Sequence, residues 1–347
     1  MKIGILTFHD GINHGTFLQV YALYRILLQL FPKDDIKVIN YKDKSNSWNE
    51  YKVFIMQKNI ISVIRNIFKI IKFKTAHKEL NLTKRVFNVN GVEDENFDVI
   101  IYGSDEIWNY SHSMMDIDKM YFGWYLQNTK KISYAPSFSE AKFENFPNDL
   151  NMFTNNFHSL SVRDKHSRDI IDKIDDARTC PLVLDPTFLY DFEHEVIYKV
   201  EKDYLLIYCA GIDSGYVKYI KEFAKEKNLQ IISIGYKNKF ADKNIIAVDP
   251  FLWIGYFKNA KYVITNTFHG TVFSIKYNKK FISILKEDKQ NKIKFLLDEF
   301  KLSHMICSEY NNISNIFNES INYIEVNKLI KQKVDMSTNF LLSSILN

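Results

Sequence analysis

The 347-residue sequence contains little cysteine. Its three cysteines, Cys180, Cys209 and Cys307, lie far apart and form no C-x-x-C pair. This number and spacing exclude a disulfide scaffold, a zinc knuckle and a dithiol redox pair, and they indicate a reducing compartment. No apolar run reaches the roughly 18 residues that span a bilayer. The first residues also lack the charged-then-apolar pattern of a signal peptide. We therefore expect a cytoplasmic protein.

Several nucleotide-binding and catalytic motifs are absent as well. The sequence has no G-x-G-x-x-G, no G-x-x-x-x-G-K-[ST], no G-x-S-x-G and no H-E-x-x-H. These absences argue against Rossmann NAD enzymes, P-loop kinases, α/β-hydrolases and zincins. The 46 Lys and Arg residues against 41 Asp and Glu residues give a net charge of +5. This charge is too small for a dedicated nucleic-acid-binding protein, but it suits an enzyme of anionic substrates. Nothing in the sequence requires a metal or a cofactor.

Short apolar runs alternate with segments of helical periodicity, which is typical of α/β proteins. The run Ile3–Phe8, apolar residues at helical spacing from Phe17 to Leu28, and the run Ile36–Asn40 read as the β-α-β start of a Rossmann-like sheet. Further strands of the first half are predicted at Phe97–Tyr102, Lys131–Ala135, His158–Val162 and Leu182–Leu184. Those of the second half are predicted at Tyr204–Cys209, Gln230–Ile234, Ile245–Val248, Tyr262–Thr265 and Phe281–Leu285.

The rhythm of strands and helices restarts after a charged stretch near residues 191–202, where we place a domain boundary. The sequence thus predicts an α/β chain with two Rossmann-like domains, residues 1–195 and residues 196–347, the second with C-terminal helices. Parallel α/β domains bind ligands at the carboxyl ends of their strands. We therefore expect the two domains to face each other across a central cleft that holds the ligands.

Residues 51–78 of the first predicted domain are unusually basic. They contain seven Lys and Arg residues and no acidic residue, with Ile60, Ile64, Ile67 and Ile71 at helical spacing. The pattern predicts a basic amphipathic helix within 52–78. One interpretation is a surface helix that packs its apolar face on its own domain. The other is a helix that lies on an anionic membrane surface.

Polar residues follow two predicted strands of the first half. Asn13 and Gly15 lie in the first β-α turn, where free amides at a helix start suit an anion or a sugar hydroxyl, although the glycine also fits a tight turn. Ser104 and Asp105 follow the strand that ends at Tyr102, and Trp108 comes shortly after. The two polar side chains suit sugar hydroxyls and the indole suits a sugar face. Alternatively, Ser104 and Asp105 cap a helix.

Arg163 closes a further predicted strand. A guanidinium at that position suits bidentate binding of a phosphate or carboxylate. The alternative is that Arg163 pairs with Asp164 or Asp185 and holds the end of the sheet.

The segment Tyr262–Thr271 runs from a buried strand into a helix that begins at a His-Gly pair. Asn266 lies at the strand end, and we expect the amides of Gly270 and Thr271 to be free to bind an anion. A bound phosphate favours the protonated form of a neighbouring histidine, so His269 suits the role of an acid. The alternative for His269 is a capping or core histidine.

Taken together, six segments resemble the polysaccharide pyruvyl transferase family, and the resemblance extends from Asn13 to about Leu302. Glu106 stands where the family usually has Gln, and Ser139 stands where it usually has Gly. The six segments are N-H-G-T-F-L-Q-V-Y-A-L at 13–23, G-S-D-E-I-W-N at 103–109, S-Y-A-P-S-F at 133–138, S-V-R-D at 161–164, D-P-T at 185–187 and I-T-N-T-F-H-G-T-V-F-S at 264–274.

The resemblance implies two Rossmann-like domains in a glycosyltransferase-B-like arrangement. It implies transfer of pyruvate from phosphoenolpyruvate (PEP) to two hydroxyls of a sugar, which gives a cyclic ketal and phosphate. The family binds PEP through an Arg, a His and a Lys. Arg163 corresponds to the Arg and His269 to the His, and either Lys289 or Lys292 corresponds to the Lys. Asp105 suits the role of the base that activates a sugar hydroxyl. The other residues that we expect to bind substrate are Asn13, Gly15, Gln19, Ser104, Trp108, Ser137, Asn266, Gly270 and Thr271.

Such sugars are often built on a lipid diphosphate at the inner membrane face, which would give the basic helix a role in weak, salt-sensitive membrane contact. The acceptor sugar and its carrier stay open. A second hypothesis is a glycosyltransferase of the same architecture that uses a nucleotide-sugar, although no E-x(7)-E pattern occurs near 270–290. A third is a non-enzymatic polysaccharide-sensing protein or scaffold, against which Arg163 and His269 speak.

Overall fold

The fold is that of a computed structural model, which describes residues 1–42, 60–111, 116–124, 126–195, 202–285 and 290–347. Its strands are β1 (Lys2–Leu6), β2 (Asp35–Val38), β3 (Val99–Tyr102), β4 (Lys130–Ser133), β5 (Tyr204–Tyr208), β6 (Gln230–Ile234), β7 (Lys243–Ile245), β8 (Tyr262–Thr265) and β9 (Lys280–Ser283).

The α-helices are α1 (His14–Leu30), α2 (Ile60–Ala76), α3 (Val89–Glu93), α4 (Lys165–Ile174), α5 (Pro186–Leu189), α6 (Ser214–Glu226), α7 (Pro250–Asn259), α8 (Phe268–Lys276), α9 (Gln290–Glu299), α10 (Ile313–Asn318) and α11 (Tyr323–Leu346). Short 3₁₀ turns lie at His77–Glu79, Lys119–Phe122, Phe143–Asn145, Asn148–Leu150, Phe153–Asn156, Ser303–Met305 and Tyr310–Asn312. Within the described residues, none of the helices has the length and apolar composition to cross a bilayer.

The chain divides into two compact units. The first comprises Met1–Val63, His77–Asp191 and Lys331–Asn347, and the second comprises Ile64–Ala76 and Phe192–Ile330. This division differs from the expected domains, 1–195 and 196–347, at two helices, each of which lies mostly with the unit of the other part of the chain. Most of α2 belongs to the second unit, and most of α11, from Lys331 onward, belongs to the first. A single domain boundary in the sequence cannot describe units that are each made of separate segments.

Each unit is built on a parallel sheet. The first has the strand order β2-β1-β3-β4, and the second has the order β7-β6-β5-β8-β9. Every residue of β3 and of β5 is buried. This fits central parallel strands that are covered on both faces and explains why they read as uninterrupted apolar runs. The predicted α/β class with two Rossmann-like domains is confirmed.

Two predicted strands of the first unit are not formed as strands. His158–Val162 and Leu182–Leu184 contribute only isolated parallel bridges, from Ser159 to β4 and between Val162 and Leu182. Each run pairs at single positions, whereas a ladder needs consecutive pairs, so apolar composition overestimated the sheet there. In the second unit, the strand predicted at 245–248 lies slightly earlier, as β7.

Candidate functional site

Two loops meet at the carboxyl edge of the first sheet because β1 and β3 are neighbours. The Thr7 hydroxyl, just after β1, donates a hydrogen bond of 2.7 Å to the carbonyl oxygen of Ser104, just after β3. Gly103 has a φ of +114°, and a Cβ there would lie 2.4 Å from the Tyr134 carbonyl oxygen, so the position requires glycine. Asp105 follows with a φ of +76°. This path brings the Asp105 side chain to the start of α1.

The Asp105 carboxylate is held from three sides. Its Oδ2 accepts a hydrogen bond of 2.9 Å from the Thr16 hydroxyl in the first turn of α1. Its Oδ1 accepts a hydrogen bond of 2.9 Å from the Glu106 amide and lies 3.5 Å from Nη2 of Arg163. The side chain retains 11% exposure. Asp105 is therefore a fixed carboxylate that a ligand at this edge of the sheet can still reach.

Arg163 forms a buried ion pair. Its Nη1 lies 2.9 Å from Oδ2 of Asp185, and both side chains are 1% exposed. Burial lowers the pKa of the Arg163 guanidinium, but the carboxylates of Asp185 and Asp105 outweigh this effect and raise it. Two carboxylates thus already neutralise the charge. The arrangement matches the alternative in which Arg163 holds the sheet end, and it does not present the guanidinium to a donor anion.

Ser104 and Ser137 also have structural partners. The Ser104 hydroxyl lies 3.4 Å from Oδ2 of Asp185, and the Ser137 hydroxyl donates a hydrogen bond of 2.6 Å to Oδ2 of Asp164. Asp164 is the N-cap of α4. Neither serine is exposed. In this arrangement they secure the loops at the sheet edge and do not face a ligand.

Trp108 corrects the sequence-based expectation most clearly. Its indole has no exposed surface, and its Nε1 donates a hydrogen bond of 2.8 Å to the carbonyl oxygen of Tyr121. It cannot stack on a sugar because the core already covers both faces of the ring. The rings that pack around it are Phe122, Phe138, Phe153 and Phe157.

The predicted binding residues of the first β-α turn shape the turn itself. Oδ1 of Asn13 accepts hydrogen bonds from the amides of Gly15, at 2.8 Å, and Thr16, at 3.4 Å, so Asn13 is the N-cap of α1. Gln19 is fully buried, and its Nε2 donates to the carbonyl oxygens of Phe8 and Thr16. These contacts fix the loop after β1 against α1 and occupy the amide that was expected to meet an anion.

A small pocket lies beside Asp105 in the first unit, and the sequence did not predict it. Carboxylates, an amide and aromatic rings line it together, and its volume of about 20 Å³ is that of a water site and not of a sugar ring. The available signal was the pair Glu106 and Asn109 in the segment after β3. The lining includes Phe8, Glu106, Asn109, Tyr110, Asp118 and Tyr121.

In the second unit, α8 begins three residues after the carboxyl end of β8. Thr267 is its N-cap: the Thr267 hydroxyl accepts a hydrogen bond of 3.1 Å from the Gly270 amide, and the Thr267 carbonyl accepts one of 3.1 Å from the Thr271 amide. The two amides that were expected to bind an anion are therefore occupied within the helix. A Cβ on Gly270 would lie 2.1 Å from Oγ1 of Thr265, which explains the glycine.

His269 is the second residue of α8 and is only partly buried. Its ring meets the Phe268 ring edge-on, with centroids 5.2 Å apart. Asn266, just before it, is buried; its Oδ1 accepts from the Ala210 amide and its Nδ2 donates to the Gly211 carbonyl. Asn266 thereby ties the loop after β5 to the start of α8. His269 thus stays the candidate donor-binding side chain of this segment, in the first turn of α8.

The two candidate lysines follow β9, the neighbour of β8. Lys292 lies in the first turn of α9, which contacts α8, and it is buried. Lys289 lies outside the described residues. Of the predicted donor-binding residues, the structure places His269 in the first turn of α8 and Lys292 in the first turn of α9, and these two helices contact each other.

A family model for polysaccharide pyruvyl transferase matches residues 13–285, which include Asp105, Arg163 and His269. The chain belongs to the polysaccharide pyruvyl transferase family. No curated protein sequence matches this pyruvyl transferase family member.

Solved structures support the fold. The chain is similar to UDP-GlcNAc 2-epimerase from Neisseria meningitidis, with a TM-score of 0.52 and 9% identity over 100% of both chains. It is also similar to UDP-GlcNAc 2-epimerase from Methanocaldococcus jannaschii, with a TM-score of 0.50 and 13% identity over 96% of this chain and 99% of the other. At these identities the likeness shows the glycosyltransferase-B-like fold of this family member and leaves its ligands open.

Two site members were missed or left undecided by the sequence. Thr16 was not considered, although its hydroxyl anchors Asp105. Asp185 was only one of two candidate partners for Arg163. Its position in the D-P-T segment was the available signal, because an Asp before Pro commonly caps a helix and lies where a strand ends. Asp185 is the N-cap of α5.

Proposed function

We propose that this protein transfers pyruvate from PEP to two hydroxyls of a sugar in a surface polysaccharide precursor, with formation of a ketal and release of phosphate. The observation that carries the proposal is that one family match includes both Asp105, a fixed carboxylate that keeps 11% exposure, and His269, a partly buried histidine at a helix start. In this proposal the first unit binds the acceptor and the second unit binds PEP.

On the donor side, PEP carries a carboxylate and a phosphate and therefore needs cationic partners. His269 lies at the N-terminus of α8, where the helix dipole favours an anion. In the proposal, Lys292 supplies a positive charge from the first turn of α9, the helix that contacts α8, and Lys289 precedes it in the chain. The proposal gives His269 the role of the acid and of the partner of the departing phosphate.

On the acceptor side, Asp105 acts as the base that activates a sugar hydroxyl. Arg163 is a positioning residue in this proposal, because it contacts Asp105 and Asp185 from within the protein. In this proposal the sugar lies at the mouth of the neighbouring small pocket, where Tyr110 and Glu106 offer aromatic and polar surface. The proposal thus assigns Asp105 and these neighbouring residues to the acceptor side.

The proposed reaction balances without a cofactor. The PEP methylene carbon gains a proton and becomes the methyl group, and C2 forms a bond to the first sugar oxygen. The bond between C2 and the phosphate oxygen then breaks, and phosphate leaves. The second sugar oxygen bonds to C2 and closes the ketal. Of the two hydroxyl protons, one replaces the proton given to the methylene carbon and the other leaves with phosphate.

We also propose that the acceptor is carried on a lipid diphosphate at the inner face of the membrane, so that the enzyme is a cytoplasmic protein with peripheral membrane contact. The basic composition of residues 51–78 supports this proposal.

The donor is tested by thermal and urea unfolding with PEP and, separately, with UDP- and GDP-sugars. At about 100 times the dissociation constant, a ligand of the native state stabilises it by about 2.7 kcal/mol. We expect PEP to stabilise the protein and the nucleotide-sugars to leave it unchanged. Stabilisation by a nucleotide-sugar, with none by PEP, would identify a glycosyltransferase instead.

The acceptor side is tested with Asp105→Asn, which retains the shape of the side chain and removes its basicity. We expect PEP binding to persist and ketal formation to stop, as read from a sugar product heavier by one pyruvate less one water. The matched control is Asp94→Asn, an exposed carboxylate of the same unit. Full turnover by Asp105→Asn would remove Asp105 from the mechanism.

A further inference from the structure

The apolar face of helix α2 is exposed to solvent. Five isoleucines and a phenylalanine form a continuous stripe along the helix: Ile60, Ile61, Ile64, Ile67, Phe68 and Ile71, with exposures of 75%, 67%, 50%, 46%, 57% and 52%. At 3.6 residues per turn these side chains project to one side. The opposite side is the buried one, with Lys69, Phe73 and Ala76. An ordinary surface helix has the reverse arrangement.

The buried side of α2 is partly polar. Lys69 is 7% exposed, and burial lowers its pKa to about 8. Ser62 and Asn66 on the same side are half-buried. The apolar stripe therefore does not attach α2 to the protein, and the interpretation that this helix packs its apolar face on its own domain does not describe the structure.

Basic side chains border the stripe. Lys72 and Lys74 project beyond its two edges, and α2 contains no acidic residue. Two copies of such a surface repel each other, whereas an anionic lipid surface complements both its charge and its apolar stripe. Other exposed apolar side chains of the described residues, such as Ile324 at 88%, do not form a stripe of this kind. The charge pattern thus singles out anionic lipid as the occupant.

We propose that the α2 stripe docks this protein on an anionic membrane surface, with the helix parallel to the bilayer plane. Its 17 residues include Arg65, Lys69, Lys72 and Lys74, so the helix lies at the interface and does not span the bilayer. The isoleucines enter the boundary between headgroups and acyl chains, and the lysines at the edges contact the anionic headgroups. Docking of this kind brings the enzyme to lipid-carried acceptors, yet it requires neither PEP nor a sugar.

The test is co-sedimentation of the full-length protein with vesicles of phosphatidylglycerol and phosphatidylcholine, and with vesicles of phosphatidylcholine alone. We expect binding to the anionic vesicles that weakens as salt is added. Ile67→Ser/Ile71→Ser should lower the partition constant at least about tenfold. Lys72→Gln/Lys74→Gln should remove most of the preference for anionic vesicles. Ile324→Ser, at an exposed isoleucine outside α2, should bind as the wild type does.

Three results would overturn the proposal. The first is no vesicle binding at low salt. The second is vesicle binding that Ile67→Ser/Ile71→Ser leaves unchanged. The third is a wild-type dimer in solution that the same double variant converts to a monomer, because the stripe would then join two copies of the chain. The replaced side chains are exposed, except for Lys72, which is half-buried, and an unchanged melting temperature shows that the variants fold. Since no donor or acceptor is present, failure here leaves the proposed pyruvyl transfer untouched.

Discussion

Removal of the Arg163 guanidinium should be among the most damaging single changes in the first unit. In Arg163→Met, Oδ2 of Asp185 loses its ion-pair partner at 2.9 Å, while the Ser104 hydroxyl at 3.4 Å remains. Oδ1 of Asp185 retains the amide and hydroxyl of Thr187, at 3.1 and 2.7 Å. The variant therefore contains a buried carboxylate that has lost the guanidinium with which it is paired.

The cost follows from that environment. Breaking a buried ion pair by removing one partner typically costs about 3–5 kcal/mol. The surviving Thr187 bonds place Arg163→Met near the lower end, at about 3 kcal/mol. Arg163→Met/Asp185→Asn removes both charges and should recover a large part of that loss, so the two substitutions are not additive.

The pH dependence has a defined sign. Burial without the guanidinium should raise the pKa of the Asp185 carboxyl in folded Arg163→Met above its unfolded value. A carboxyl with a raised pKa binds more protons in the folded state, so its contribution to stability falls as pH rises. The deficit of Arg163→Met relative to the wild type should therefore be smaller at pH 5 than at pH 7.

The measurement is urea unfolding at both pH values, followed by circular dichroism. Arg85→Met, at an exposed arginine of the same unit, serves as the control and should change the free energy of unfolding by less than about 0.5 kcal/mol. If Arg163→Met costs no more than this control, or if its deficit grows at pH 5, the buried ion pair is not the stabilising feature described here.

Three further outcomes follow from local geometry. Ser139→Gly should stabilise the protein by about 1 kcal/mol, as read from urea midpoints, because Ser139 has a φ of +57°. Gly270→Ala should cost about 1–3 kcal/mol by the same measurement, and Gly270→Ala/Thr265→Ala should cost less than the two changes summed. Native protein should resist thiol reagents at pH 8, since all three cysteines are buried and burial raises the pKa of Cys180 to about 12 and that of Cys307 to about 11; rapid native labelling would refute this.

The sequence predicted the sheets well because central parallel strands are apolar on both faces. Gln230–Ile234 and Tyr262–Thr265 were predicted with the bounds that the structure has. Amphipathic helices were equally visible, since periodicity reports which side chains share a face. Periodicity does not report which way that face points, and for this reason the outward mounting of α2 could not be predicted.

The site was harder to predict because polar residues at strand ends can stabilise the loops there as well as bind ligands. Trp108 lies in a polar segment, yet its ring belongs to the core. The Gly270 and Thr271 amides donate hydrogen bonds to Thr267, the N-cap of α8. A threonine just before a helix is a common N-cap, so the sequence contained this signal. Arg163 was left with two alternatives because the choice between a ligand and a carboxylate partner depends on distances in space. Only the fold supplies them.

The central claim is tested most directly by calorimetric titration of PEP into the wild type and into His269→Ala. Loss of a hydrogen bond to a charged group costs about 1.5–3 kcal/mol, so His269→Ala should weaken PEP binding by about 10- to 150-fold. His304→Ala, at an exposed histidine of the same unit, should bind PEP as the wild type does. Equal affinity of the wild type and His269→Ala would contradict the assignment of His269 to the donor.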